Sequence, residues 1–114
     1  MSERDTVWLF TRFGLGEGPA ELQQQLAVKY LTLALEGGKL PAKVIFYTEG
    51  VRLACHGSPV LDQLRELEKR GVELVLCHTC LSYFGLLDQV QVGVVGSMAD
   101  IIEALTQAQK VVAL

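Results

Sequence analysis

Short apolar segments alternate with longer amphipathic segments along the whole chain. Five of the short segments are rich in β-branched and aromatic residues, which is typical of strands. These predicted strands cover residues 6–11, 43–48, 72–77, 91–95 and 110–114. Between them, apolar residues recur every three or four positions, which is typical of helices. The predicted helices cover residues 20–36, 59–71 and 98–108, with shorter helical segments at 51–55 and 81–86.

Residues that start and stop helices flank these segments. Pro19 precedes the first predicted helix, and Gly37 and Gly38 follow it. Ser58 and Ser97 are predicted N-caps of the later helices because serine accepts hydrogen bonds from free backbone amides. On the first helix the apolar side is predicted to consist of Leu22, Leu26, Tyr30, Leu33 and Leu35.

The alternation of strands and helices defines the fold class. Parallel strands joined by right-handed crossovers place helices on both faces of a sheet. We therefore predict an α/β fold, a three-layer α/β/α sandwich with a mostly parallel five-stranded sheet. A chain of 114 residues fits one domain with one core, so residues 1–114 are predicted to form a single domain. The strand order does not follow from the pattern.

Composition narrows the range of partners. The formal net charge is −3, and acidic and basic residues are interspersed, so we expect no nucleic-acid binding. The apolar runs are too short to span a bilayer. The polar start Met1-Ser2-Glu3-Arg4-Asp5 differs from a secretory signal. The sequence thus predicts a soluble, cytoplasmic protein without membrane association.

Candidate chemistry is concentrated at one edge of the predicted sheet. In open parallel sheets, functional sites lie beyond the carboxyl ends of the strands. The loops at residues 13–18, 49–57 and 77–85 reach that edge. The last two contain every cysteine and histidine of the chain: Cys55, His56, Cys77, His78 and Cys80.

The thiol pair Cys77 and Cys80 is the candidate catalytic site. A cysteine reacts as its thiolate, which helix N-termini and nearby cations stabilise. Cys77 ends the third strand, Cys80 lies near the start of a short helix, and His78 lies between them. We expect a reachable pocket that favours the thiolate of Cys77. Cys55 is interpreted as a packing residue, because cysteine is often buried in cores.

Other interpretations of these motifs remain open. A zinc site needs four ligands, so Cys55 and His56 would have to join the thiol pair, although adjacent side chains point in divergent directions. A redox dithiol is a further alternative. The glycines at positions 14, 16 and 18 invite a dinucleotide interpretation but lack the G-x-G-x-x-G spacing. We therefore predict no metal and no cofactor.

The segment from Gly71 to Leu86, with the sequence GVELVLCHTCLSYFGL, resembles the DsrE-like (DsrE/DsrF-like) sulfur-relay family. Within that family it is most similar to the DsrE domain of selenium-metabolism, sulfurtransferase-like proteins, which share a strand followed by C-x-T-C, an aromatic pair and Gly-Leu. The segments IFYTEGVRLA and GSPVL are similar to the same group. Cys55-His56 does not belong to this pattern, and the small sulfur-carrier domain with a Cys-Pro motif that usually precedes it is not part of this sequence.

The resemblance implies a function in sulfur relay. It implies a persulfide carrier that accepts sulfur on Cys77, assisted or resolved by Cys80, and exchanges it with donor and acceptor proteins. It further implies a link to selenium metabolism and a homo-oligomer, either a trimer or a hexamer. Whether this sulfurtransferase-like carrier is an enzyme stays open. The alternative is a non-catalytic assembly or regulatory subunit of a sulfur-relay complex, whose thiols only pack.

Overall fold

Strands and helices alternate as the sequence predicts. The computed structural model describes residues 5–114, so most of the polar start at Met1–Asp5 lies outside the described residues. The strands are β1 (Thr6–Phe10), β2 (Lys43–Phe46), β3 (Glu73–Cys77), β4 (Val94–Gly96) and β5 (Lys110–Ala113). The α-helices are α1 (Ala20–Gly37), α2 (Leu61–Lys69), α3 (His78–Phe84) and α4 (Met98–Gln107). Two 3-10 helices cover Thr48–Ala54 and Leu87–Gln89.

The five strands form one parallel sheet in the order β4-β3-β2-β1-β5. The central strands end level with one another, since Phe10 pairs with Phe46 and Phe46 pairs with Leu76. The rings of Phe10 and Phe46 stack with centroids 5.6 Å apart. Cys77, one residue beyond this row, pairs with Gly96 of β4. The carboxyl ends of β1, β2 and β3 therefore meet at one edge of the sheet.

The strand order explains the three layers. From β1 to β4 the chain moves across the sheet in one direction, and from β4 to β5 it returns across the whole sheet. Right-handed crossovers in opposite directions place their helices on opposite faces. Accordingly α1 packs with α2, whereas α4 contacts β3 and β4. The predicted three-layer α/β sandwich is confirmed, and the sheet is parallel throughout.

Helix α1 departs from the predicted apolar side. It buries Ala27 and Leu31 completely, whereas Leu22, Leu26 and Leu33 are exposed, Leu33 at 64% of its surface. Positions 22, 26 and 33 lie on one helical face because of the 3.6-residue repeat, opposite the buried face. The prediction of Leu22, Leu26 and Leu33 as core-facing residues is therefore wrong.

Helix ends follow the local signals with two exceptions. Gly38 caps the carboxyl end of α1 in the left-handed conformation with φ 77°, and Ser97 caps α4 in a capping box with Asp100. Ser58 does not cap α2, which starts at Leu61, because the Ser58 hydroxyl accepts from the Val60 N–H instead. Helix α3 begins directly at His78 rather than at residue 81. The earlier start brings Cys80 into the helix.

Candidate functional site

Cys77 ends β3 inside the core. Its neighbours along the strand, Val75 and Leu76, are buried, and Cys77 itself has 0% of its surface exposed. The expectation of a reachable Cys77 sulfur is therefore wrong for this chain on its own. The physical reason is its position: Cys77 is paired with Gly96 of β4 and followed at once by α3, so the chain covers it on several sides.

Cys80 is the accessible member of the pair. It occupies the third position of α3 and is partly exposed. Its Sγ accepts a hydrogen bond from the backbone N–H of Thr48, at 3.0 Å. The amide comes from the loop after β2, whereas the sequence predicts stabilising amides at the amino end of α3. The carboxyl ends of β2 and β3 are thus joined through the Cys80 sulfur.

Thr48 adopts the left-handed backbone conformation, which residues other than glycine rarely adopt. Its φ is 53°, and it is the one non-glycine residue with positive φ in residues 5–114. Such a left-handed backbone carries strain in a β-branched residue. Strain of this kind persists where the surroundings over-determine the conformation. At Thr48 the conformation directs a backbone amide at a thiol.

Gly50 holds this loop against the end of β1. A Cβ at position 50 would lie 2.1 Å from the Phe10 carbonyl oxygen, so only glycine fits. The same carbonyl accepts from the Tyr47 N–H at 3.1 Å, and the Gly50 N–H donates to the Tyr47 carbonyl at 3.0 Å. The close approach therefore fixes where Thr48 begins the 3-10 helix.

Burial and two neighbouring groups shift the pKa of the Cys80 thiol. Burial raises the pKa of the Cys80 thiol above its ordinary value, the Thr48 amide lowers it, and the neighbouring Cys77 thiol raises it again. The net shift is upward, so in the isolated chain the surroundings of Cys80 favour its protonated thiol over its thiolate. The contribution of Cys77 to this pKa also establishes that the two thiols are close neighbours.

A cavity of about 380 Å³ opens beside Cys80. One side consists of Tyr47, Thr48 and Cys80 from the ends of β2 and β3. The other side is formed by four apolar residues of α4, namely Met98, Ile101, Ile102 and Leu105. The cavity lies where the chain passes from β3 to β4 and changes the face on which its helix packs. Ligands of open α/β sheets bind at such switch points.

Cys55 does not join the thiol pair. It is buried, and its Sγ donates to the Val51 carbonyl at 3.3 Å. Burial raises the pKa of Cys55, and Arg52 lowers it in part. These contacts fit the packing interpretation. His56 and His78 are both exposed, and among residues 5–114 no three His, Cys, Asp or Glu side chains cluster to hold a metal ion.

The glycine-rich loop before α1 folds back on that helix. The Gln23 side chain donates to the Gly16 carbonyl at 2.7 Å, and the Leu15 N–H donates to the Gln23 carbonyl at 2.9 Å. A Cβ on Gly14, whose φ is 147°, would lie 2.5 Å from Gln23. The close approach of loop and helix accounts for Gly14 without a bound nucleotide.

The aromatic pair after the thiols divides between two environments. Tyr83 is 84% exposed, whereas the Phe84 ring lies under the Arg52 guanidinium, 4.6 Å from its centroid. Arg52 also pairs with Glu49. Arg52 therefore already has partners on both sides, and its contacts link the segment that carries Thr48 to α3.

Sequence reasoning missed Thr48, Met98 and Ile102 as parts of the site. Thr48 lies at the end of a predicted strand, and its amide can be assigned only from the contact with Cys80. Ser97, as a predicted N-cap, does indicate that a helix starts near the carboxyl edge of the sheet, where the thiols lie. It does not reveal which face of α4 meets Cys80.

Three solved structures share the fold. The YchN protein from E. coli superposes with a TM-score of 0.71 at 17% identity, over 97% of this chain and 99% of that one. Protein MTH1491 from Methanobacterium thermoautotrophicum gives 0.69 at 18% identity, over 96% and 97%. Protein BT1422 from Bacteroides thetaiotaomicron gives 0.70 at 17% identity, over 100% and 98%. At such identities the likeness establishes the fold alone.

The family assignment comes from the sequence. No curated protein matches the chain, and no helix within residues 5–114 combines the length and apolar character of a membrane span. The family model for the DsrE/DsrF-like family matches residues 15–114, which include the Thr48 loop, both site cysteines and α4. The chain therefore belongs to the DsrE/DsrF-like family, which is generally associated with sulfur relay.

Proposed function

We propose that this protein, as a single domain, is a sulfur-relay carrier that accepts sulfur as a cysteine persulfide and passes it to another thiol. Cys80 meets the donor and the acceptor, and Cys77 is the second thiol behind it. The observation that carries the proposal is the Thr48 amide, which donates to the Sγ of the partly exposed Cys80 at 3.0 Å. A hydrogen bond to the charged form favours that form, and the thiolate is the attacking species.

The transfer reaction needs no external oxidant or reductant. The Cys80 thiolate attacks the outer sulfur of a donor persulfide. A new S–S bond forms at Cys80 while the S–S bond of the donor breaks, and the donor departs as a thiolate with the electron pair. Delivery is the same displacement, with an acceptor thiolate attacking the outer sulfur on Cys80.

The order of the two cysteines differs from the one that the family resemblance implies. The resemblance identifies Cys77 as the acceptor. Because Cys77 has no exposed surface, a partner's sulfur reaches it only through Cys80. Both residues therefore stay in the proposed site, with Cys80 as first acceptor and Cys77 as the resolving or storage thiol.

The partners are sulfur donor and acceptor proteins together with further copies of this chain. A homo-oligomer, a trimer or hexamer as in the family resemblance, is supported by the exposed leucines on the outer face of α1, Leu22, Leu26 and Leu33. Sedimentation velocity of the wild type and of Leu33→Glu tests this: a fall in mass supports the assembly on α1, and an unchanged mass contradicts it.

The proposal also includes the cellular compartment and the atom that is carried, sulfur or selenium. Three free cysteines suit a reducing compartment such as the cytoplasm, where thiols stay unpaired. The similarity to selenium-metabolism proteins extends the cargo to selenium, which moves by the same displacement. Mass spectrometry after loading distinguishes added selenium from added sulfur, and a chain that takes up only sulfur removes the selenium link.

A loading and unloading experiment tests the carrier function. The protein is incubated with inorganic polysulfide, freed of reagent, and then mixed with an acceptor thiol. We expect the mass to rise by one sulfur atom and to fall again on addition of the acceptor. Cys80→Ser, which keeps a hydrogen-bond acceptor for Thr48, should lose this gain. Equal loading of Cys80→Ser and the wild type would contradict the proposal.

The second candidate function is a non-catalytic assembly or regulatory subunit of a sulfur-relay complex. The buried Cys77 and the raised pKa of Cys80 favour it, because unreactive thiols need only pack. A pull-down of a sulfur-donor protein distinguishes the two. Binding that survives in a Cys77→Ser/Cys80→Ser double variant, together with no sulfur loading of the wild type, would support the subunit function.

A further inference from the structure

The cavity beside Cys80 has the size of a small-molecule site. Its volume of about 380 Å³ falls within the range of roughly 300–1,000 Å³ found for ligand pockets. Cys80, which is partly exposed, is one of the residues that line the cavity, so an occupant would lie next to the candidate reactive residue.

The lining of the cavity is apolar and uncharged. Helix α4 contributes Met98, Ile101, Ile102 and Leu105, and none of the lining residues carries a charge. Ile101 is fully buried and forms the floor, whereas Ile102 is 57% exposed at the rim. Apolar walls with one or two polar groups at one end are typical of sites that bind an apolar body and orient one reactive atom.

The nearest basic side chain on the loop is already paired. Arg52 contacts Glu49 and covers the Phe84 ring, and it does not line the cavity. A carboxylate-bearing sulfur carrier would therefore lose hydration at the cavity without gaining an ion pair, which is unfavourable. For an uncharged apolar carrier, transfer from water into the cavity is favourable, because its contacts with water are unfavourable.

We propose that this cavity binds the apolar body of a low-molecular-weight, uncharged persulfide or disulfide and presents its sulfur to Cys80. The inference rests on the proposed function and adds a small-molecule sulfur source to the protein partners. With a persulfide, the Cys80 thiolate bonds to the outer sulfur, and the apolar thiolate leaves. With a disulfide, Cys80 forms a mixed disulfide, and one apolar thiolate leaves.

Two aromatic disulfides of opposite character test the proposal. Dithiodipyridine is uncharged and releases thiopyridone, whereas dithiobis(nitrobenzoate) is a dianion and releases a coloured thiolate. The absorbance of each product reports the rate. Rates with the folded protein are divided by rates with the same protein in denaturant, which removes the intrinsic reactivity of each reagent. We expect a preference for the uncharged disulfide of about tenfold, equivalent to burying two methylene groups.

Substitutions on α4 test whether the preference for the uncharged disulfide arises in this cavity. Ile102→Glu places a carboxylate at the rim and should reduce the preference to about one, and Ile102→Ala, which keeps the wall apolar, should retain most of it. Ala99→Glu adds the same charge to the same helix at an exposed position outside the cavity lining and should change nothing. Equal preferences in Ile102→Glu and Ala99→Glu would overturn the proposal.

The outcome separates this inference from the proposed function. Inorganic polysulfide has no apolar body, so sulfur loading of Cys80 by polysulfide without any preference between the disulfides overturns the cavity proposal alone. A clear preference without any polysulfide loading overturns the carrier function alone. A preference that disappears as protein concentration rises would mean that a second copy covers the cavity, and it would also overturn this inference.

Discussion

The backbone N–H of Thr48 lies 3.0 Å from the Sγ of Cys80 and donates to it across 32 positions of sequence. This contact joins the loop after β2 to the helix after β3. It stabilises negative charge on the sulfur, whereas burial and the adjacent Cys77 oppose it. The reactivity of Cys80 therefore depends on how firmly the loop holds the amide in place.

Gly50→Ala should displace that amide. The added methyl group would collide with the Phe10 carbonyl, so the loop that starts at Thr48 must move away from β1. We expect lower thiol reactivity at Cys80 and a destabilisation of roughly 1–3 kcal/mol, measured by alkylation kinetics and urea unfolding.

Gly37→Ala is the matched control for Gly50→Ala. A Cβ at Gly37 meets no atom within 4 Å, and the residue ends α1. It should leave Cys80 reactivity unchanged and raise stability by about 0.4–1 kcal/mol. Equal effects of the two substitutions would contradict the close-approach explanation of Gly50.

The alkylation rate of Cys80 should keep rising at alkaline pH. Because the pKa of its thiol is raised, the thiolate forms only above the ordinary cysteine value of about 8.5. Replacement of Cys77 by alanine removes one of the groups that raise this pKa, so the rate profile should move to lower pH. A profile that stays in place or moves to higher pH would show that Cys77 does not act on Cys80.

The raised pKa of Cys80 should also make the stability of the protein depend on pH. A thiol whose pKa is raised on folding stabilises the native state while it is protonated, and that contribution is lost as pH rises past the ordinary thiol value. The free energy of unfolding should therefore decline at alkaline pH, and less so in Cys80→Ser. Parallel declines in both proteins would assign the effect to other groups.

Cys55→Ala should leave sulfur loading unchanged. The Cys55 side chain is buried and donates to the Val51 carbonyl, so its removal costs packing and one weak hydrogen bond. We expect about 1 kcal/mol of lost stability in thermal or urea unfolding and normal loading at Cys80. Lost loading in a folded Cys55→Ala protein would place Cys55 in the reaction.

The helices, the strands and the three-layer arrangement could be predicted because capping residues and apolar periodicity are local features of the sequence. The Ser97 capping box and the left-handed Gly38 both lie where the chain pattern places helix ends. The outward leucines of α1 could not be predicted from spacing, since Leu22, Leu26 and Leu33 form as regular a stripe as a core face does. The Thr48 contact with Cys80 depends on the strand order, so no local pattern contains it.

Ser97→Ala should weaken the wall of the cavity. The Ser97 hydroxyl accepts from the Asp100 N–H at 3.1 Å, and Asp100 accepts from the Ser97 N–H at 2.9 Å. Loss of an N-cap costs about 0.5–2 kcal/mol. Thr106→Ala, at the other end of α4, is the control and should cost less in the same urea titration.

The capping box also has a pH signature. Hydrogen bonds from Ser97 hold the pKa of Asp100 below its usual range. Stability from this carboxylate is present above the ordinary aspartate pKa and is lost as pH falls through the lowered value. Acid should therefore destabilise the wild type more than Asp100→Asn, whose side chain does not titrate. An equal acid sensitivity of both proteins would contradict this role of Asp100.

Peptide mapping of the sulfur acquired first is the most direct test of Cys80 as the first acceptor. The wild-type protein is exposed briefly to polysulfide, its remaining thiols are blocked, and the position of the added sulfur is determined by fragmentation over a time course. We expect sulfur to appear first on Cys80 and to reach Cys77 only later. Sulfur that appears first on Cys77, or on Cys55 at the same rate, would contradict it.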